Sequence, residues 1–285
     1  GQTDTALIAF GGGTALGQHP LATQSLILEL RLAKPGDKPR IAHKLPGDKP
    51  VNDLVFADLD GQAGQELVIA PDGGKITVYR INNKATKNIT QTLGLESGVG
   101  NWNSIACGDL NGNGENDLFA ANWGTNQALN RYIQYNYRMY FSKENGIMDI
   151  FETFQSNDKN ILKPSLAKFK KSNPIRGLMY STHESFRLEG VENIFNNAPN
   201  FREINQLQTR LFLNNNASFK AHPLPSEVQF APTFGVVFDD FNLDGLLDIA
   251  LNQGFNDYYD GTEPQLNNSN LILINRMDDK KSFDI

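Results

Sequence analysis

Three short stretches of this 285-residue chain set oxygen-bearing side chains at alternate positions and close with an acid at the ninth. They are Asp58-Leu59-Asp60-Gly61-Gln62 with Glu66, Asp109-Leu110-Asn111-Gly112-Asn113-Gly114 with Asp117, and Asp240-Phe241-Asn242-Leu243-Asp244-Gly245 with Asp248. Carboxylates and carboxamides of this kind suit a hard cation: calcium takes about six to eight oxygens at roughly 2.3–2.6 Å in flexible geometry. Alternate side chains in a tight loop turn inward, so positions one, three, five and nine can converge. A backbone carbonyl near position seven would complete the shell. Glycine at position six permits the positive φ that folds the loop back. An EF-hand is excluded, because position twelve holds no glutamate and apolar, strand-like stretches flank each loop.

The loops are unequal. Asp240, Asn242, Asp244 and Asp248 bring three carboxylates and should bind best. Asp109, Asn111, Asn113 and Asp117 bring two and should bind more weakly. Asp58, Asp60, Gln62 and Glu66 have Ala63 where the glycine belongs, and form the weakest set. The competing reading is that these side chains only hydrogen-bond their own backbone as Asx turns. One template recurring three times, each time ahead of a strand, favours the metal.

Other chemistry is sparse. His19, His43, His183 and His222 are scattered without metal-ligand spacing, and no nucleophile elbow, P-loop or dinucleotide fingerprint occurs. His183, after Tyr180-Ser181-Thr182, is the best single catalytic suspect, though a histidine at a helix start is usually structural. Trp102, Trp123, Tyr258 and Tyr259 could offer aromatic platforms to a sugar or a protein loop. For the tryptophans, packing between sheets is the plainer reading. Cys107, the single cysteine, reads as a small core residue and excludes an intrachain disulfide.

The elements that would position the loops are strands. Thr5–Phe10, Leu26–Leu32, Leu54–Ala57, Glu66–Ala70, Lys75–Ile81, Ser104–Cys107, Asp117–Ala121, Thr233–Phe238, Leu247–Leu251 and Asn270–Ile274 are short and apolar, with Gly, Pro, Asn and Asp between them. Pro71–Gly74 reads as a hairpin turn. Phe141–Ile150 reads as a decayed fourth copy of the loop, with Phe141 and Lys143 in place of ligands. Residues 160–207 read as a helical insertion. Lys159, Lys163, Lys168, Lys170, Lys171 and Arg176 make its first part basic, a solvated face or a docking surface for an anionic partner. Apolar residues at 39% support a core, and a net charge of −6 argues against nucleic acid. No apolar run is long enough to insert into a membrane. A start at Gly1-Gln2 reads as a piece or processed product of a longer protein.

The loops resemble the FG-GAP or VCBS repeats of β-propellers, which include the integrin α-chain propeller. Phe10-Gly11-Gly12, the stretch from Gly100-Asn101-Trp102 to Ala121-Asn122-Trp123-Gly124, Tyr180-Ser181-Thr182-His183 and Phe230-Ala231-Pro232-Thr233-Phe234-Gly235 are similar to bacterial repeat proteins that carry an ASPIC/UnbV domain. The resemblance implies an all-β fold: one propeller domain, or a segment of a propeller, over 1–285, of about four or five FG-GAP-like blades. It also implies calcium at 109, 111, 113, 117, 240, 242, 244 and 248. An extracellular, periplasmic or cell-surface binding module for protein or carbohydrate follows as the expectation. A sugar-active, lyase-like enzyme on the same scaffold is the alternative.

Overall fold

Short apolar strands joined by short links pair antiparallel with their sequence neighbours. A computed structural model describes residues 5–10, 26–31, 40–44, 50–81, 86–144, 147–194, 200–254, 270–276 and 282–285. The described residues fall into two compact units. One runs to residue 127 and resumes at 206–285; the other is 128–205.

In the first unit, β1 (Thr5–Phe10), β2 (Leu26–Arg31) and β3 (Arg40–Lys44) form a three-stranded sheet. Next come β4 (Val51–Ala57), β5 (Glu66–Gly74), β6 (Thr77–Ile81) and β7 (Thr86–Asn88), paired in that order, with β8 (Gly100–Asn101) added at the far end of β5. A third sheet starts with β9 (Ser104–Gly108) and β10 (Asp117–Ala121).

There the chain leaves for the second unit. Helix α1 (Asn130–Ile133) is followed by β11 (Arg138–Glu144), β12 (Ile147–Ser156) and β13 (Lys159–Leu162). Helices α2 (Leu166–Ser172), α3 (Pro174–Gly177) and α4 (His183–Leu188) come next, then β14 (Asn200–Glu203). The four strands pair in the order β13-β12-β11-β14. The Ser165 side chain caps α2 and a Thr182–Ser185 capping box starts α4, which satisfies backbone N–H groups that open each helix. An aromatic core of Tyr140, Phe151, Phe169, Tyr180 and Phe186 closes this unit.

The chain returns as β15 (Arg210–Asn214) and β16 (Phe219–His222), giving the third sheet the order β9-β10-β15-β16. A last sheet is β17 (Thr233–Asp239), β18 (Asp248–Gln253), β19 (Leu271–Asn275) and β20 (Phe283–Asp284).

Both faces of the inner sheets are apolar, so the sheets stack with a core on either side. On β10, Leu118 and Ala120 face one core while Phe119 and Ala121 face the next. On β5, Val68 and Ala70 share the first of these cores with β10, and Leu67 and Ile69 belong to another. The first strands of three successive sheets, β4, β9 and β17, lie side by side. Asp53 Oδ2 accepts from Ser104 Oγ at 2.8 Å and from the Ile105 N–H at 3.0 Å, and Asn103 Nδ2 donates to the Thr233 carbonyl at 3.1 Å. Gly108 keeps this packing close, because a Cβ there would lie 2.9 Å from the Phe238 ring.

Several expectations change. The insertion over 160–207 is larger, spanning 128–205, and carries a four-stranded sheet beside its helices. Phe141–Ile150 is not a loop copy: Phe141 and Lys143 are paired residues of β11, opposite Ile150 and Met148 of β12. Pro71–Gly74 is no hairpin turn but the end of β5. It stays in the strand, with a bulge at Gly73 (φ 68°), because Asp72 and Gly74 pair with β8 and the Trp102 backbone N–H donates to the Pro71 carbonyl at 3.2 Å.

Candidate metal centres

Each acidic loop joins the first strand of a sheet to the second: β4 to β5, β9 to β10, β17 to β18. The loops at 109 and 240 fold by the same bonds. Asp109 accepts the Asn113 and Gly114 N–H groups at 3.1 and 2.7 Å. Asp240 accepts those of Asp244 and Gly245 at 3.0 and 2.8 Å. At position three, Asn111 and Asn242 accept the position-five N–H at 3.1 and 2.8 Å. At position five, Asn113 and Asp244 accept from position seven at 2.9 and 3.0 Å. Positions four and six take positive φ in both, Gly112 and Gly114 at 72° and 83°, Leu243 and Gly245 at 63° and 91°. A Cβ at Gly112, Gly114 or Gly245 would meet nothing, so these glycines serve conformation rather than space. An oxygen that accepts one N–H keeps acceptor capacity. The same side chains that fold the loop can therefore still ligate.

The ninth-position acid is a structural hub. Asp117 and Asp248 are fully buried, and one oxygen of each accepts the position-two N–H, from Leu110 at 3.0 Å and Phe241 at 3.1 Å. The other oxygen accepts the N–H of an asparagine ending the third strand of its sheet, Asn214 or Asn275, at 2.7 Å in each case. That asparagine's side-chain amide reaches back to the preceding sheet's loop. Asn214 Nδ2 donates to the Leu59 carbonyl at 3.0 Å, and Asn275 Nδ2 to that of Leu110 at 2.6 Å. Loop, own sheet and preceding sheet are thereby tied at one point, twice over. Burial pushes the Asp117 carboxyl up to about 6; the Asn214 and Leu110 N–H groups oppose this, and the charge of Asp109 adds to it.

A raised carboxyl pKa means the folded state holds a proton that the unfolded state has released. In metal-depleted buffer, Asp117's contribution to stability is therefore present at low pH and lost as pH climbs from about 4 to about 6. Denaturant midpoints across that range should show the wild-type advantage over Asp117→Asn shrinking as pH rises.

The loop at 58 is built differently. Its positive φ values fall at Gly61 and Gly64, and Asp58 accepts from Gly61 rather than from positions five and six. Asp58, Asp60 and Glu66 bring their oxygens within 4.8 Å of one another. A guanidinium already faces three of its four template positions. Arg80 of β6 pairs with Asp60, bonds Glu66 Oε1 through Nε at 3.2 Å, and bonds Gln62 Oε1 through Nη1 at 3.2 Å. Glu66 Oε2 accepts the Leu59 N–H at 3.0 Å, so the hub bond survives while the cation is supplied by the chain.

The remaining candidates separate. Trp102 is fully buried and its indole N–H donates to the Gly74 carbonyl at 3.0 Å, so it is a core residue and not a binding platform. Trp123 is half-buried; Tyr258 and Tyr259 lie outside the described residues. His183 is exposed in the first turn of α4. Burial pushes the Cys107 thiol up to about 12, with Asp117 adding to the shift, which keeps it protonated and inert. Within the basic run, Lys163 pairs with Glu152 at 2.9 Å and Lys159 Nζ donates to the Leu188 carbonyl at 2.9 Å, so part of that charge serves its own unit. Asn214, Asn275 and Arg80 escaped sequence reasoning. For the two asparagines the one available signal is an asparagine closing an apolar run, in Leu211-Phe212-Leu213-Asn214 and Leu271-Ile272-Leu273-Ile274-Asn275; Arg80 has none.

Residues 58–120 match the family model described as an FG-GAP-like repeat. The match starts at the first acidic loop, passes through the second and ends in β10, one full step from sheet to sheet. No curated protein matches the chain.

Proposed function

We propose that the chain is a calcium-stabilised β-propeller, or an arc of one, with about four or five FG-GAP-like blades. It acts as an interaction module for protein or carbohydrate, in an extracellular, periplasmic or cell-surface setting, in a bacterial protein of the ASPIC/UnbV-associated kind. The bond-for-bond equivalence of the loops at 109 and 240, at the same step of two successive sheets, carries this reading. Asp109, Asn111, Asn113 and Asp117 would hold one ion, and Asp240, Asn242, Asp244 and Asp248 a second. A bound cation would offset the repulsion between Asp109 and buried Asp117, and would lock each loop to the strand that follows. Trp123, Tyr258 and Tyr259 are proposed platforms for the partner. The net charge of −6 disfavours nucleic acid. Among the described residues no helix is long and apolar enough to cross a membrane.

Thermal unfolding in calcium and in excess chelator tests the reading. A site filled to about 100 times its Kd adds roughly 2.7 kcal/mol. The calcium form should melt several degrees higher, and identical curves would overturn the metal assignment. The enzyme alternative needs a pocket that gathers histidine, carboxylate and tyrosine. The cleft between β15 and the Ser226–Gln229 turn is lined by His222 but, among the described residues, by no carboxylate or tyrosine, which favours binding over turnover there.

A further inference from the structure

An open cleft of about 740 Å³ lies in the first unit, at the end of β15 opposite Asn214. Arg210, the first residue of β15, and His222, the last of β16, share one wall, since Leu211 and His222 are register partners. Asn126, Gln208 and Ser226 add carboxamide and hydroxyl groups, and Phe230, 42% exposed, adds an aromatic face. The floor is rigid. Gln229 accepts the Thr209 N–H at 3.0 Å and donates to the Thr209 carbonyl at 2.8 Å, which pins the 3-10 turn Ser226–Gln229 against β15. The Asn126 N–H donates to the Gln229 carbonyl at 3.1 Å and fixes the opposite rim.

Arg210 is the informative residue. A guanidinium carries five N–H donors in a planar fork. Among the described residues its one hydrogen bond runs from Nη1 to the Glu96 carbonyl, at 3.4 Å. Partial burial works against its charge and lowers its pKa. Among the described residues no aspartate or glutamate lines the cleft, and the nearby Glu227 carboxylate is engaged by Ser226 Oγ at 3.1 Å, although acids outnumber bases in the chain. A half-buried cation whose donors are mostly unused among the described residues, beside amides, a hydroxyl and an apolar ring, is matched by an anion that also carries hydroxyl groups.

We infer that this cleft binds a carboxylated sugar, a uronic acid unit. Its carboxylate takes the Arg210 fork, its hydroxyls meet Asn126, Gln208 and Ser226, and one ring face lies on Phe230. A planar carboxylate matches the guanidinium in two parallel bonds, which a neutral sugar cannot do. The site goes beyond the calcium reading and uses none of its ligands. Failure here would leave the melting experiment unchanged, and the reverse also holds.

The test is calorimetric titration of the full chain with galacturonate, galactose and acetate. Galacturonate should bind saturably and at least about tenfold more tightly than either control, as a lost charge-assisted pair implies. Arg210→Gln should weaken galacturonate at least about tenfold while the calcium-induced rise in melting temperature stays as in wild type. Gln208→Ala, at an exposed position, should weaken galacturonate and leave acetate unaffected. Absence of saturable galacturonate binding, or undiminished binding to Arg210→Gln, overturns the site. Acetate binding as tightly as galacturonate overturns the sugar assignment.

Discussion

Replacing Asn275 by alanine is expected to lower stability by about 2–4 kcal/mol, a large effect for a side chain with no charge and little apolar surface. Its amide donates to two carbonyls, Leu110 in the preceding sheet's loop at 2.6 Å and Leu247 at 2.9 Å, and Asn275 is itself fully buried. Alanine removes both bonds and leaves the Leu110 carbonyl buried without this donor, and an unsatisfied buried polar group costs about 1–3 kcal/mol. Asn275→Asp should be at least as damaging, because it turns acceptors toward acceptors beside buried Asp248. Asn214→Ala should behave alike, since its amide serves the Leu59 and Asn116 carbonyls at 3.0 and 3.2 Å. Guanidinium unfolding, followed by the fluorescence of buried Trp102, reads the loss. A change below about 1 kcal/mol for both asparagines would mean that they do not latch neighbouring sheets.

Arg80→Gln should convert the loop at 58 into a third cation site. Removing the guanidinium leaves the side chains of Asp60 and Glu66, 6% and 3% exposed, facing each other without a counter-charge. Breaking such a buried pair costs about 3–5 kcal/mol, less here because Arg80 is itself one-third exposed. In chelator the variant should be destabilised by about 2–3 kcal/mol. Millimolar calcium should restore part of that loss and bind with one more ion per chain than wild type. Equal loss with and without calcium would show that the loop at 58 lacks the geometry for a metal even when vacant.

The residues that could be read from sequence are those whose role is local. Asp117–Ala121 announces a doubly buried strand because each of its residues is apolar or a template acid. The loops announce themselves because one ion's coordination, or one Asx turn, is specified within nine residues. The roles that were missed are long-range. Asn275 acts on Leu110, far earlier in the chain, and an asparagine after a strand is otherwise ordinary turn chemistry. Arg80 reaches Asp60 and Glu66 only because the β5–β6 register sets it opposite Glu66. The Phe141–Ile150 error has the same root. Asn145-Gly146 and Asp149 mimic half of the loop template, yet the register of β11 against β12 settles the segment as a strand pair, with Tyr140 and Phe151 just beyond its ends in an aromatic core. Trp102 was open to two readings, platform or packing, and its burial bears out the plainer one, with its asparagine neighbours no sugar ligands. They instead serve the backbone: Asn122 Nδ2 bonds the Gln206 carbonyl at 3.1 Å and Asn103 that of Thr233.

Counting bound calcium is the most direct trial of the whole account. Equilibrium dialysis of the metal-depleted chain should give two ions per molecule. Asp109→Ala and Asp240→Ala should each remove one, and Asp58→Ala should remove none. No bound calcium in wild type, or an unchanged count in both the Asp109 and Asp240 variants, would contradict the assignment of these two loops as the metal centres.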